Sequence, residues 1–195
     1  MKRPHLEHPY VGRGGVKLAH ALDHFHIDVA GAVCLDAGAS TGGFTDCLLK
    51  RGAARVYAVD VGRGQLAWKL RQDPRVIVRE RTNVRYLTAR DLPELADCVT
   101  LDLAFISLTK VFGAVDQICK PAGVIVALIK PQFEVGKGKV GRGGIVRDPA
   151  LHQEVIAAVE AGAKLQGWQC RGVIPSPITG ADGNVEFLAC FVKDH

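Results

Sequence analysis

The stretch Ala32-Val33-Cys34-Leu35-Asp36-Ala37-Gly38-Ala39-Ser40-Thr41-Gly42-Gly43-Phe44-Thr45 decides the reading of this chain. A short apolar strand over 32–36 runs into a glycine-rich turn, and a helix is expected over 41–50. Glycines at 38, 42 and 43 allow tight turning and let a ligand approach the backbone beside a helix N-terminus. The bland alternative is a strand-to-helix turn with no ligand at all.

The spacing narrows the choice of ligand. A dinucleotide fingerprint would want glycine at 40, where Ser40 stands. Acid-x-Gly-x-x-x-Gly after a first strand better suits S-adenosylmethionine, which has no pyrophosphate to cradle. The turn's amides could take its methionine carboxylate. Asp36, Gly38, Ala39, Ser40, Thr41, Gly42, Gly43 and Phe44 are therefore candidate cofactor residues. Asp60, with Val61 behind it, ends the next apolar strand, where an acid can accept from both ribose hydroxyls. Asn83, past the third strand, could read the adenine amine. Asp102, at the end of the fourth, would face the same crevice. One acid at a strand end is often a cap; several polar residues at successive strand ends form a pattern.

Outward from that turn, strand and helix alternate. Helices are expected over 17–25, 65–71, 107–119 (capped by Ser107) and 148–165, the last with Asp148 as N-cap and Pro149 at the first helical position. Strands are expected over 55–60, 76–78, 98–103, 123–130, 169–174 and 185–192. Strands apolar on both faces and alternating with helices argue an α/β fold, a mostly parallel sheet with helices on both faces. In such sheets ligands bind beyond the carboxyl ends of the strands.

Composition agrees with one globular unit. The chain has 195 residues, 48% hydrophobic and 23% charged, with a net charge of +5. No apolar run exceeds Val124 to Ile129, no secretory signal follows Met1, and a cytoplasmic location is expected. The excess of basic residues favours an anionic partner. The six cysteines are scattered without any Cys-x-x-Cys, so neither a disulfide framework nor a zinc site is expected. His20 and His24 lie one helical turn apart but lack a third ligand at a recognisable interval, and no metal is expected. Trp168 reads as packing, and Trp68 as packing or a neighbour of the adenosine.

These stretches together resemble the TlyA-type RNA methyltransferases, relatives of the FtsJ ribose 2′-O-methyltransferases. The resemblance lies in Tyr10-Val-Gly-Arg-Gly-Gly-Val-Lys17, Leu35 to Cys47, Tyr57 to Leu66, Leu101-Asp-Leu-Ala-Phe-Ile-Ser-Leu108, Leu128-Ile-Lys-Pro-Gln-Phe-Glu134, Gly143 to Pro149 and Gly183-Asn-Val-Glu-Phe-Leu188. It implies a Rossmann-like methyltransferase sheet of seven strands, one of them antiparallel. It also implies S-adenosylmethionine as cofactor, S-adenosylhomocysteine as product, and cytidine of ribosomal RNA or ribosomal subunits as substrate. A catalytic tetrad is implied at Lys17, Asp102, Lys130 and Glu186. The chemistry suits that set, because a ribose hydroxyl is a poor nucleophile and needs a base or a strong orienting acceptor beside it. Lys130, ending an apolar strand with Lys17 nearby, is the candidate base. Asp102 and Glu186 would orient the lysines and the hydroxyl.

Residues 134–147 break the alternation with glycines at 136, 138, 141, 143 and 144 and bases at Lys137, Lys139, Arg142 and Arg147. This reads as a basic arm closing on RNA, with Lys2, Arg3 and Arg13 adding phosphate contacts. The family's small N-terminal RNA-binding domain is expected to be absent, leaving an arm over 1–14 and a methyltransferase domain over 15–195. A second departure is Ala104, where the family often has serine. The rival readings are a same-fold enzyme acting on a different RNA or a small-molecule hydroxyl, and a cofactor-binding RNA module without turnover. A pore-former is rejected for want of any spanning pattern.

Overall fold

A computed structural model describes residues 7–136, 138–180 and 182–193. Its elements are α1 (Gly14–His24), β1 (Val33–Ala37), α2 (Gly43–Lys50), β2 (Arg55–Val59), α3 (Trp68–Arg71), β3 (Val76–Arg79), β4 (Ala96–Leu101), α4 (Phe112–Ile118), β5 (Cys119–Ile129), α5 (Pro131–Glu134), α6 (Pro149–Lys164), β6 (Trp168–Pro175) and β7 (Phe187–Lys193).

The strands form one sheet in the order β3-β2-β1-β4-β5-β7-β6. β1 to β5 pair in parallel, and β7 runs antiparallel to both its neighbours, β5 and β6. This is the expected α/β Rossmann-like sheet.

Alternation along each strand divides the core between two faces. Leu35, Val99, Leu101, Ile125 and Ala127 pack with Phe112 and Val115 of α4 and Val155 and Val159 of α6. Cys34, Val56, Cys98, Val126 and Leu188 pack with Leu18 and Leu22 of α1 and Phe44 and Leu48 of α2. Helices on both faces explain why the strands read as continuously apolar. All six cysteines are free thiols, and five of them are buried.

Two segments differ from expectation. The helix expected over 107–119 opens as a 3-10 turn at Leu108–Lys110, because the Ser107 hydroxyl accepts from Thr109 N–H, and only Phe112–Ile118 is α-helical. β5 begins at Cys119 rather than 123. Its pairing with β4 shifts register between Ala96 and Cys98, which accommodates Pro121 and the close packing of Gly123 on Cys119. α6 begins as expected, with Asp148 Oδ1 accepting from Ala150 N–H and Pro149 in the first turn.

Candidate active site

Because β1 to β5 are parallel, the residues after their carboxyl ends gather on one edge of the sheet. Gly38, Asp60, Asn83, Asp102 and Lys130 line a cleft of about 990 Å³ there. Gly38 has φ +86°, and a Cβ at this position would lie 2.2 Å from the Asp102 carbonyl oxygen. Only glycine lets β1 turn so close to β4. The Asp60 carboxylate is pinned by two amides, Ser40 N–H to Oδ2 at 2.8 Å and Gly62 N–H to Oδ1 at 2.7 Å. Each oxygen keeps acceptor capacity toward the cleft, which fits a ribose diol. Asn83 Oδ1 accepts from Arg85 N–H at 3.0 Å, leaving the side-chain amide as donor. Oδ1 keeps a second acceptor position, so the side chain can meet the adenine amine or a ring nitrogen. Val61 lines the same wall and is mostly exposed. This polar rim fits an adenosine-bearing cofactor.

Other residues of the glycine turn hold it from behind. Asp36 is fully buried, accepting from Thr45 Oγ1 at 2.7 Å and Thr100 Oγ1 at 3.1 Å. Burial pushes its carboxyl up to about 7; Thr45 and Thr100 pull it down, and nearby Asp102 adds to the rise. Thr41, Gly42, Gly43 and Phe44 lie outside the cleft wall. Gly43 sits where α1 and α2 cross, since a Cβ there would be 2.9 Å from Gly15 N and 3.1 Å from Gly12 O. Phe44 is buried against Gly14. Ala39 lines a small recess with Ser40 and Leu66.

The four residues expected to form a tetrad make two ion pairs. Lys130 Nζ stands 2.6 Å from Asp102 Oδ1, with both side chains partly open to the cleft. Asp102 Oδ1 is buried and has no aligned hydrogen bond, so its acceptor capacity is not used up. Lys17 pairs with Glu186 out of solvent. α1 links the two pairs: a Cβ on Gly14 would lie 3.8 Å from Asp102 Oδ2, and Lys17 follows one turn later on the same helix face. Glu186 precedes β7, an interior strand, so it is only 3% exposed. Gly180 makes room for its carboxylate.

The basic residues are more dispersed. Arg13 Nη2 donates to the Thr179 carbonyl at 2.8 Å, Lys139 pairs with Glu154 of α6, and Arg142 and Arg147 are exposed. Lys2, Arg3 and Lys137 lie outside the described residues. Trp168 is core, but Trp68 is 74% exposed and off the cleft wall. Among the described residues no group of three metal-ligating side chains occurs.

Sequence reasoning missed the outer wall. Arg85, Phe105, Lys110, Phe133 and Glu134 line the cleft beyond the Lys130–Asp102 pair. Phe105 is 91% exposed at φ +63°, with its ring 5.0 Å from that of Phe133. Glu134 accepts from Ser107 Oγ at 2.6 Å and Leu108 N–H at 2.8 Å, tying the loop after β4 to α5. A large aromatic three residues past a strand-end acid was the available signal.

Residues 10–193 match the FtsJ-like methyltransferase family profile. The chain belongs to that family. Among FtsJ-like relatives, it is 55% identical over 182 residues to the 16S/23S rRNA (cytidine-2′-O)-methyltransferase TlyA of Mycobacterium tuberculosis, covering 93% of this chain and 68% of that protein. It is 50% identical over 183 residues to Bacillus subtilis YqxC, which carries an rRNA methyltransferase name, covering 92% and 64%. A solved Streptococcus thermophilus protein with a hemolysin name superposes at a TM-score of 0.94 with 46% identity, covering 97% and 69%. The chain thus spans about two thirds of the length of these relatives.

Proposed function

We propose that this chain transfers a methyl group from S-adenosylmethionine to a ribose 2′-hydroxyl of RNA, a cytidine of ribosomal RNA. The observation that carries this reading is the Lys130–Asp102 pair at 2.6 Å, set in the cleft wall beside the Asp60 and Gly38 rim. The names of the TlyA relatives supply the substrate class. When bound, the cofactor supplies an electrophilic methyl on a sulfonium.

Asp60 and Asn83 hold the adenosine end, and Gly38 keeps the backbone clear of it. The substrate hydroxyl lies against Lys130 and Asp102, which fix its direction and receive its proton as the new O–C bond forms. The two groups act there together, Lys130 Nζ standing 2.6 Å from Asp102 Oδ1. Lys17 and Glu186 hold α1 against Asp102 from behind. Arg13, Lys139, Arg142 and Arg147, with Lys137, supply phosphate contacts. No helix among the described residues is long and apolar enough to cross a membrane, and we place the enzyme with its ribosomal substrate in the cytoplasm.

The test offers tritiated S-adenosylmethionine with ribosomal RNA, ribosomal subunits and a small-molecule extract. Label in RNA, at a site that resists alkaline cleavage, supports the reading. Label confined to a small molecule, or no label with cofactor bound, defeats it.

A further inference from the structure

Asn184 is 1% exposed and does not line the cleft. Both ends of its amide are committed to the backbone of the basic loop. Val146 N–H donates to Oδ1 and Nδ2 donates to the Gly144 carbonyl, each at 3.0 Å. Val146 is gripped a second time, its carbonyl lying 2.9 Å from Nε2 of buried His152, whose ring packs on Phe187. The Asn184 carbonyl accepts from Gly180 N–H, and Gly180 is the residue that makes room for Glu186. By contrast Gly136, Gly138, Gly143 and Gly144 have open space where side chains would stand. Among the described residues, Asn184 and His152 hold the C-terminal part of the loop at Gly144 and Val146, two residues from Glu186, and Lys139 meets Glu154 of α6 nearer its start.

We infer that Asn184 is a positioning residue that ties the basic loop to the Glu186 segment, so that Arg142 and Arg147 meet RNA in register with the tetrad. The inference rests on the proposed RNA methyltransferase reading. Asparagine suits the task because one short amide satisfies an N–H and a C=O at once; aspartate supplies only acceptors and faces the Gly144 carbonyl with a like dipole. Loss of the fastening releases the loop and leaves the cofactor rim untouched.

The test compares Asn184→Ala and Asn184→Asp with the unmodified chain and with Arg142→Ala/Arg147→Ala, in two readouts. The first is limited trypsin cleavage at Lys139, Arg142 and Arg147 under native conditions, which needs no activity. Cleavage is expected to speed up in both Asn184 variants, and in Asn184→Asp to slow again as the pH falls and the buried carboxyl takes up a proton able to reach Gly144. The second is methyl transfer to ribosomal RNA. KM for RNA is expected to rise about tenfold with S-adenosylhomocysteine affinity unchanged, and to rise less than about twofold when Asn184→Ala is added to Arg142→Ala/Arg147→Ala. Unchanged loop cleavage, or a KM effect that adds in full to the arginine substitutions, would overturn the inference. Should Asn184→Ala unfold, Asn184→Asp at neutral pH, set against the same variant at low pH, carries the comparison. If the unmodified chain transfers nothing to RNA, the function reading fails, while the cleavage readout still judges the fastening.

Discussion

Lys17 of α1 and Glu186, 169 positions later in the chain, close on each other as an ion pair almost without solvent. A lysine buried to this degree needs its counter-charge, and removing one partner strands the other. Glu186→Ala or Lys17→Ala is expected to lower stability by about 3–5 kcal/mol. The joint replacement Lys17→Met/Glu186→Leu should cost far less than the sum of the two. Urea unfolding of the three variants measures this, and additive losses would show that the pair is not coupled.

Asp36 provides a pH-dependent contribution to stability. Its carboxyl lies at about 7 in the folded chain against 3.8 in the unfolded state, so the folded form binds the extra proton. Stability from this group is complete below the unfolded value and is lost as pH rises through about 7. From about pH 6 to about pH 8 the loss attributable to Asp36 is about 1.4 kcal/mol. Asp36→Asn keeps one oxygen to accept from one threonine hydroxyl and offers its amide N–H to the other, and it has no proton to lose. Unfolding free energies at the two pH values should therefore fall more in the unmodified chain than in the variant; equal slopes would contradict the assignment.

Asp60 has a double task, fixing the amides of Ser40 and Gly62 and facing the cleft. Asp60→Ala is expected to weaken S-adenosylhomocysteine binding by about tenfold or more, with Asp60→Asn in between. Calorimetric titration gives the affinities directly, and an unchanged constant would remove Asp60 from the cofactor site.

Gly43 sets how closely α1 crosses α2, and thus where Lys17 stands. A methyl there meets Gly15 N and Gly12 O, backbone that cannot swing aside. Gly43→Ala should cost about 1–3 kcal/mol in thermal or denaturant unfolding. A neutral effect would mean that the crossing has slack.

The sheet was legible because the buried strands announce themselves: Val33–Ala37, Arg55–Val59 and the second half of Cys119–Ile129 are mostly apolar on both faces, and the last two stop at a polar residue. That same rule put Asp60, Asp102 and Lys130 on one edge. Strand-end position alone does not say which way a side chain turns. Asp36 follows the period-two alternation into the face covered by α2, where Thr45 waits for it. Phe105 and Glu134 escaped notice for a different reason. Each acts through contacts between loops far apart in sequence, Glu134 with Ser107 and Leu108, and Phe105 with Phe133. Local spacing records neither.

The most direct measurement is single-turnover methyl transfer to ribosomal RNA by Lys130→Met, beside calorimetric binding of S-adenosylhomocysteine to the same protein. The variant keeps the stem of the lysine and removes the group that faces Asp102. Cofactor affinity within about twofold of the unmodified chain, with transfer slowed by about 100-fold or more, is the expected result. Transfer at an unaltered rate would contradict the assignment of the Lys130–Asp102 pair as the group that directs the hydroxyl and receives its proton.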